Sequence, residues 1–455
     1  MLGRLRSLIS RPDVRRIAHG ISANLLGRLW VLALQVASVP VLTAKWGAAG
    51  YGQWLMLTAI STYIALSDFG FGNAAAASMI KSLTQDDPRQ ANKTFSAVWT
   101  LVSGVAALLI LVISLAIWLL SGSFVHLINV DRSLLACISI LSIHAFFAIQ
   151  MNLLHVVYRS SGNYAFGTMM QEITYPLEGF AVLAVAALGY HALAASCAML
   201  VIRVILSANF FLNARKRAPW FHLSPKNSDV SELRRLFAPA VATFNLNVSS
   251  AISLQGIVLS LGLVSGAAMA GLFGAARTIS RAPAQFTSLI TRATLPELTS
   301  ALARDDKRSA NVIMVINIAT TVFLFTPVAL AIALLGPFGL KILSHGRLTA
   351  DHQLFAALAA AVLIQAIWQS ISQYFIAINR PQVFAFSYTL IAIAVAAAPV
   401  VLSHPTATTA AMVALIGELA MLGVIGYAWR RESSMGASEL RATLDHIRAS
   451  MLKKS

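Results

Sequence analysis

Residues 94–120 read TFSAVWTLVSGVAALLILVISLAIWLL, a run of 27 residues without one charged side chain. About twenty helical residues, each rising 1.5 Å, cross a hydrocarbon core about 30 Å thick. Inside lipid the backbone amides must be satisfied by the segment itself, and a single segment achieves that only as a helix. Eleven further stretches are similarly apolar, each with at most two charged side chains: 21–44, 52–74, 133–157, 171–189, 192–213, 237–263, 268–290, 311–335, 354–377, 383–402 and 408–429. Over all 455 residues 58% are hydrophobic and 11% charged, with a mean hydropathy of +0.74. An ordinary soluble domain is about 25% charged, so this chain lacks the surface charge to stay in water. The expectation is an all-α integral membrane protein with twelve transmembrane helices.

The net charge of +17 would suggest nucleic acid in a soluble protein. Here the basic residues concentrate in short connections. The terminal segments and the connections on their side (1–20, 75–93, 158–170, 214–236, 291–310, 378–382, 430–455) hold 26 Lys and Arg, and the opposite connections hold only Lys45, Arg132, Lys341 and Arg347. That bias sets membrane orientation and predicts cytoplasmic termini, so no nucleic-acid partner is expected. Cys137 and Cys197 both fall in apolar stretches and imply neither a disulfide nor a metal site. The ten histidines show no HExxH or Cys/His ligand spacing. The N-terminal segment, with Leu5, Leu8 and Ile9 among Arg4, Arg6 and Arg11, reads as a basic helix on anionic membrane lipids rather than a cleaved signal. In the C-terminal tail Leu440, Leu444, Ile447 and Met451 recur at helical spacing and predict an amphipathic helix.

The chain repeats itself at one constant offset, the one that carries Arg15-Arg16 onto Arg234-Arg235. At the same offset Gly47-Ala48-Ala49 falls on Gly266-Ala267-Ala268, and Asp86-Asp87, Arg89 and Asn92 fall on Asp305-Asp306, Arg308 and Asn311. Six spans separate equivalent points, so the halves share one orientation, as in parallel-repeat transporters. The expected organisation is a basic N-terminal segment (1–20), a six-helix bundle (21–213), a basic cytoplasmic linker (214–236), a second six-helix bundle (237–429) and the tail (430–455). Each chain then supplies both halves of a pathway, and a monomer is the default.

The chemistry lies in charges inside the membrane. An ionised side chain there costs at least ~2.5 kcal/mol on insertion scales, so it faces a bundle interior or an aqueous cavity. Arg28, Arg203, Arg277 and Arg281 are placed this way, the last two one turn apart on a single helix face. Two readings stand side by side. One is structural pairing with Asp68, Glu172, Glu178 or Glu418; the other is a cationic cavity for an anionic substrate. The repeat places Arg28 on Asn247, and Thr58 and Thr62 on Arg277 and Arg281. Asn24, Asn247, Gln365 and Gln369 are candidate polar cavity residues, although interhelical hydrogen bonding accounts for such residues equally well. Guanidinium groups stay charged and match phosphate oxygens bidentately, which suits a diphosphate or an acidic sugar rather than an organic cation.

Trp46-Gly47-Ala48-Ala49-Gly50-Tyr51-Gly52-Gln53-Trp54 and Ser67-Asp68-Phe69-Gly70-Phe71-Gly72-Asn73-Ala74 carry a family resemblance. In these motifs the chain resembles the O-antigen type polysaccharide flippases of the multidrug, oligosaccharidyl-lipid and polysaccharide exporter superfamily. The resemblance in layout covers nearly the whole chain, and the motif match covers its first quarter. It implies a V-shaped pair of six-helix bundles around a central cavity, working by alternating access. It further implies a carrier in the bacterial inner membrane that moves an undecaprenyl-diphosphate-linked oligosaccharide from the cytoplasmic to the periplasmic leaflet for surface polysaccharide synthesis, alongside polymerase and export machinery, without a cofactor. Asp68 matches the motif, and two roles stay open for it: coupling to H+ or Na+, or a helix-end hydrogen bond. Two other functions compete. A cation-coupled multidrug exporter predicts an acid-dominated cavity. A membrane glycosyl-transfer enzyme predicts a large charged outer loop, whereas the longest outer connection, 336–353, is sparse in charge.

Overall fold

The computed structural model describes residues 12–121, 132–224, 228–283 and 287–433. The expected N-terminal surface helix and C-terminal amphipathic tail lie outside the described residues. The described chain is all α. The first half contains α1 (Pro12–Ala65), α2 (Phe71–Thr84), α3 (Pro88–Ser121), α4 (Arg132–Ser160), α5 (Tyr164–Ala187) and α6 (Ala192–Arg217). The second contains α7 (Val230–Ala251), α8 (Ile257–Ser265), α9 (Ala267–Arg281), α10 (Thr287–Ala303), α11 (Lys307–Leu343), α12 (His352–Ala377), α13 (Gln382–Val401) and α14 (Ala407–Glu432). Among the described residues nine helical stretches are long and apolar enough to cross a membrane. The other expected spans are those that carry Glu172 and Glu178 (α5) or that break partway along their length.

The repeat has a backbone counterpart. Gly47 at φ 71°, ψ 178° kinks α1 into two rods, and Gly266 at φ 88°, ψ 160° turns α8 into α9. A Cβ is disfavoured at such positive φ, so glycine is the residue that makes both turns tight. Asp86 and Asp305 both adopt left-handed backbone, at φ 58° and 54°, a conformation that Asp tolerates better than most residues. The next residue caps the following helix in each half. Asp87 Oδ1 accepts the Gln90 amide at 2.9 Å, and Asp306 Oδ1 accepts the Ser309 amide at 3.0 Å. Each cap satisfies one of the orphan amides of a helix start.

The structure corrects the picture of uninterrupted spans. The stretch 52–74 does not form one rod: a 3-10 turn at Leu66–Asp68 and left-handed Phe69 and Gly70 interrupt it, and α2 then runs on to Thr84. The stretch 268–290 likewise divides between α9 and α10. The stretch 237–263 contains a π turn at Ile252–Gly256. Hydropathy is continuous through these sites and cannot register a local change of backbone.

The chain divides into two compact units, Met1–Asn247 and Val248–Ser455. In the first, α4 packs on α6, and α5 packs on α1 and α6, while α2 and α3 pack on each other and on α4. A Cβ at Gly179 would overlap Leu34, which shows how closely α5 approaches α1; small residues permit such approach between membrane helices. In the second unit α12 lies against α11 and α14, and α13 lies against α8, α14 and the π turn.

Candidate functional site

Within the second unit, polar side chains converge on a cavity of about 50 Å³ lined by Arg277, Arg281, Gln365, Tyr388 and Glu418 among apolar neighbours. A chain of hydrogen bonds crosses three helices. Arg281 Nη1 donates to Gln365 Oε1 at 2.9 Å, and Gln365 Nε2 donates to Glu418 Oε1 at 3.1 Å. Trp368 Nε1 supplies a second donor to Glu418, at Oε2, 2.6 Å away. The amide of Gln365 thus relays between a guanidinium and a carboxylate, accepting from one and donating to the other. The Trp368 and Tyr388 rings meet edge to face at 5.2 Å, and Tyr388 lines the cavity. Arg277 Nη1 donates to the carbonyl of Leu254, which belongs to the π turn. A π turn disturbs the regular i→i−4 ladder, and such turns gather at functional sites. Two guanidinium groups and one carboxylate leave this wall cationic. The cavity has room for a few water molecules, far less than an oligosaccharide.

Arg203 occupies a different environment in the first unit. Its Nη2 donates to Glu178 Oε2 at 2.7 Å, and its Nε stands 2.6 Å from Glu178 Oε1. His144 Nε2 lies 3.2 Å from the same carboxylate. The side chains are 12%, 2% and 8% exposed for Arg203, Glu178 and His144. Arg203 thus stands paired with Glu178, one of the four acids considered as its partner. Arg203 is the twelfth residue of α6 and Glu418 the twelfth of α14, so the last helix of each half carries a half-buried charge at the same distance from its start, with opposite sign.

The structure brings Arg277, Arg281 and Gln365 together and leaves Arg203 apart from them in the other unit. Gln369 follows Gln365 by one turn on α12, outside the cavity lining, where its carbonyl accepts from Ser372 Oγ at 2.6 Å. Asn247 is exposed at the end of the first unit. The side chains of Asn24 and Arg28 lie outside the described residues. Asp68 Oδ1 accepts the Gly70 amide at 3.1 Å, the helix-end arrangement. The only sequence signal for Trp368 and Tyr388 is an aromatic with a polar tip on an apolar helix. Among the described residues no group of three or more His, Cys, Asp or Glu is placed to hold a metal.

No protein-family model matches the chain, and no curated protein does. Solved structures do. The fold is similar to the inward-facing conformation of a multidrug resistance MATE family transporter of the MOP superfamily, with a TM-score of 0.69 at 14% identity, over 92% of this chain and 98% of that one. It is similar to the lipid II flippase MurJ in an inward closed conformation, with a TM-score of 0.63 at 11% identity, covering 96% and 93%. An outward-facing MATE family transporter gives a TM-score of 0.55 at 14% identity, covering 94% and 97%. The chain therefore has the fold of MOP superfamily transporters, with nine helices among the described residues long and apolar enough to cross a membrane, and the structures that it resembles are transporters.

Proposed function

We propose that this chain is an alternating-access flippase that moves an undecaprenyl-diphosphate-linked oligosaccharide across a bacterial inner membrane for surface polysaccharide synthesis. In this reading residues 21–213 and 237–429 are its two six-helix bundles, the basic segment 214–236 is a cytoplasmic linker, and both termini face the cytoplasm. The observation that carries the reading is the charge of the second unit's cavity, where Arg277 and Arg281 face a single acid, Glu418. A cationic wall favours a phosphate-bearing substrate and repels an organic cation. The cavity is too small for the cargo, so the arginines are read as headgroup contacts that engage when the site opens. Arg203, already neutralised by Glu178, is assigned a scaffolding part, and Asp68 that of a helix end.

Multidrug export is the second reading, favoured by the TM-score of 0.69 to a multidrug transporter. Reconstitution with a fluorescent polyprenyl-diphosphate sugar separates the two. Arg281→Gln and Arg277→Gln should each slow flipping about 10- to 100-fold, the worth of one charge-assisted hydrogen bond. Normal flipping by both variants at normal expression would defeat the cationic-site reading.

A further inference from the structure

We propose that the first turns of α7 form a latch at the basic end of the first unit, closed in this structure and released in each transport cycle. The inference rests on the transporter reading above but not on the identity of the cargo. Asp229 caps α7, its Oδ1 accepting the Ser231 amide at 2.8 Å, while its Oδ2 stands 2.7 Å from Lys93 Nζ on α3. One turn on, Glu232 is 7% exposed and accepts three hydrogen bonds. They come from Gln90 Nε2 at 2.8 Å, Thr94 Oγ1 at 2.9 Å and its own helix neighbour Arg235 Nη2 at 2.6 Å. Arg235 also donates to Ser78 Oγ on α2 at 2.7 Å. Two acids and one arginine of α7 are thus clasped by α2 and α3. Below the clasp Leu236 and Ala240 join the apolar core around Phe95 and Met79.

Three features make this a latch and not a permanent seam. First, α7 belongs to both units: residues 230–247 lie in the first, and the helix continues into the second from Val248. Second, the outer contacts are wet. The side chains of Lys93, Asp229 and Arg235 are 44%, 34% and 51% exposed, and a cavity of about 980 Å³ opens beside Lys93 and Asp229. Ion pairs in such surroundings are weak and screened by salt, so they separate readily. Third, the clasp departs from the repeat. Asp87 and Asn92 recur as Asp306 and Asn311, but the three clasping residues of α3, Gln90, Lys93 and Thr94, are replaced by Ser309, Val312 and Ile313. The polar partners are found where α7 enters and are not part of the repeated scaffold.

The test uses the full chain with Cys137 and Cys197 replaced by serine and a reporter cysteine at Ala240→Cys, which is buried while the latch is closed. A membrane-impermeant maleimide is applied to the basic face in inside-out vesicles. Glu232→Gln and Thr94→Val should each raise the labelling rate roughly 10-fold, the effect of weakening a hydrogen bond to a charged group. Lys93→Cys and Asp229→Cys joined by a short non-reducible crosslinker should abolish labelling at Ala240→Cys, and the same crosslinker applied without those two cysteines should leave it unchanged. Labelling unchanged in both single variants, or undiminished in the crosslinked protein, would overturn the latch. Labelling needs no cargo, so a protein that labels as expected but fails to flip a diphosphate lipid would refute the substrate reading alone.

Discussion

Replacing Glu178 by Gln removes the only carboxylate facing Arg203 in the triad with His144 and leaves a guanidinium that is 12% exposed without its counter-ion. Removing one partner of a buried ion pair costs about 3–5 kcal/mol, because the remaining charge keeps its desolvation penalty and loses its compensation. Glutamine keeps one oxygen able to accept from Arg203, so only one of the two short contacts, at 2.7 and 2.6 Å, is lost with the charge, which points to the lower part of that range. Each ~1.4 kcal/mol is a factor of ten, so the unfolding equilibrium shifts by at least ~100-fold. Arg203→Met should cost a similar amount, because it leaves the buried Glu178 without its partner. The double variant Glu178→Leu/Arg203→Met replaces both charges by apolar groups and should recover most of the loss, giving a coupling of about 3 kcal/mol. Unfolding by SDS in mixed micelles, followed by tryptophan fluorescence, measures all three. Additive losses in the double variant would refute the reasoning. So would a Glu178→Gln change no larger than that of an ordinary surface substitution, about 0.5 kcal/mol. The double variant should also still flip substrate, since this pair is assigned to the scaffold.

Gly47→Ala and Gly266→Ala should each destabilise the protein by about 1–2 kcal/mol through the positive φ at both kinks, whereas Gly423→Ala, with open space around its Cβ, should be close to neutral in the same unfolding assay. Gly417→Val should lower the melting temperature of the purified protein, because even its Cβ would overlap Val395 and overpacking costs about 1–3 kcal/mol. The hydrogen bond from Lys93, followed by those from Ser231, holds the Asp229 carboxyl at about 2, below its ordinary 3.8. A depressed value means that the stabilisation is complete above pH 4 and is lost as the pH falls toward 2. Labelling at Ala240→Cys should therefore show no Asp229-dependent change between pH 8 and 5, while Asp229→Asn should accelerate it at pH 7.

The features legible in the sequence are those that act locally. Uncharged runs marked where helices lie, and the constant offset of the repeat paired Gly47 with Gly266 and Asp86 with Asp305, which adopt matching backbone conformations. Pairing across helices was not legible. Arg203 and Glu178 lie on different helices, α6 and α5, and periodicity says which face a residue occupies but not what the facing helix presents. Glu418 had the same ambiguity until Trp368 and Gln365 were seen to donate to it. The break at 66–70 was hidden because Leu66, Phe69 and Phe71 keep the stretch apolar while its backbone turns. The basic connections carry an orientation signal, and nothing in the sequence sets apart the acids within them, Asp229 and Glu232. Their meaning depends on Gln90, Lys93 and Thr94, which sit on α3 and are remote from α7 along the chain.

The most direct measurement is flipping in proteoliposomes that hold the purified protein, with two fluorescent substrates side by side: a polyprenyl-diphosphate oligosaccharide and a lipophilic organic cation. The account predicts protein-dependent movement of the diphosphate lipid, inhibited by its unlabelled form, and none of the cation. Movement of the cation with the diphosphate lipid left in place would contradict it.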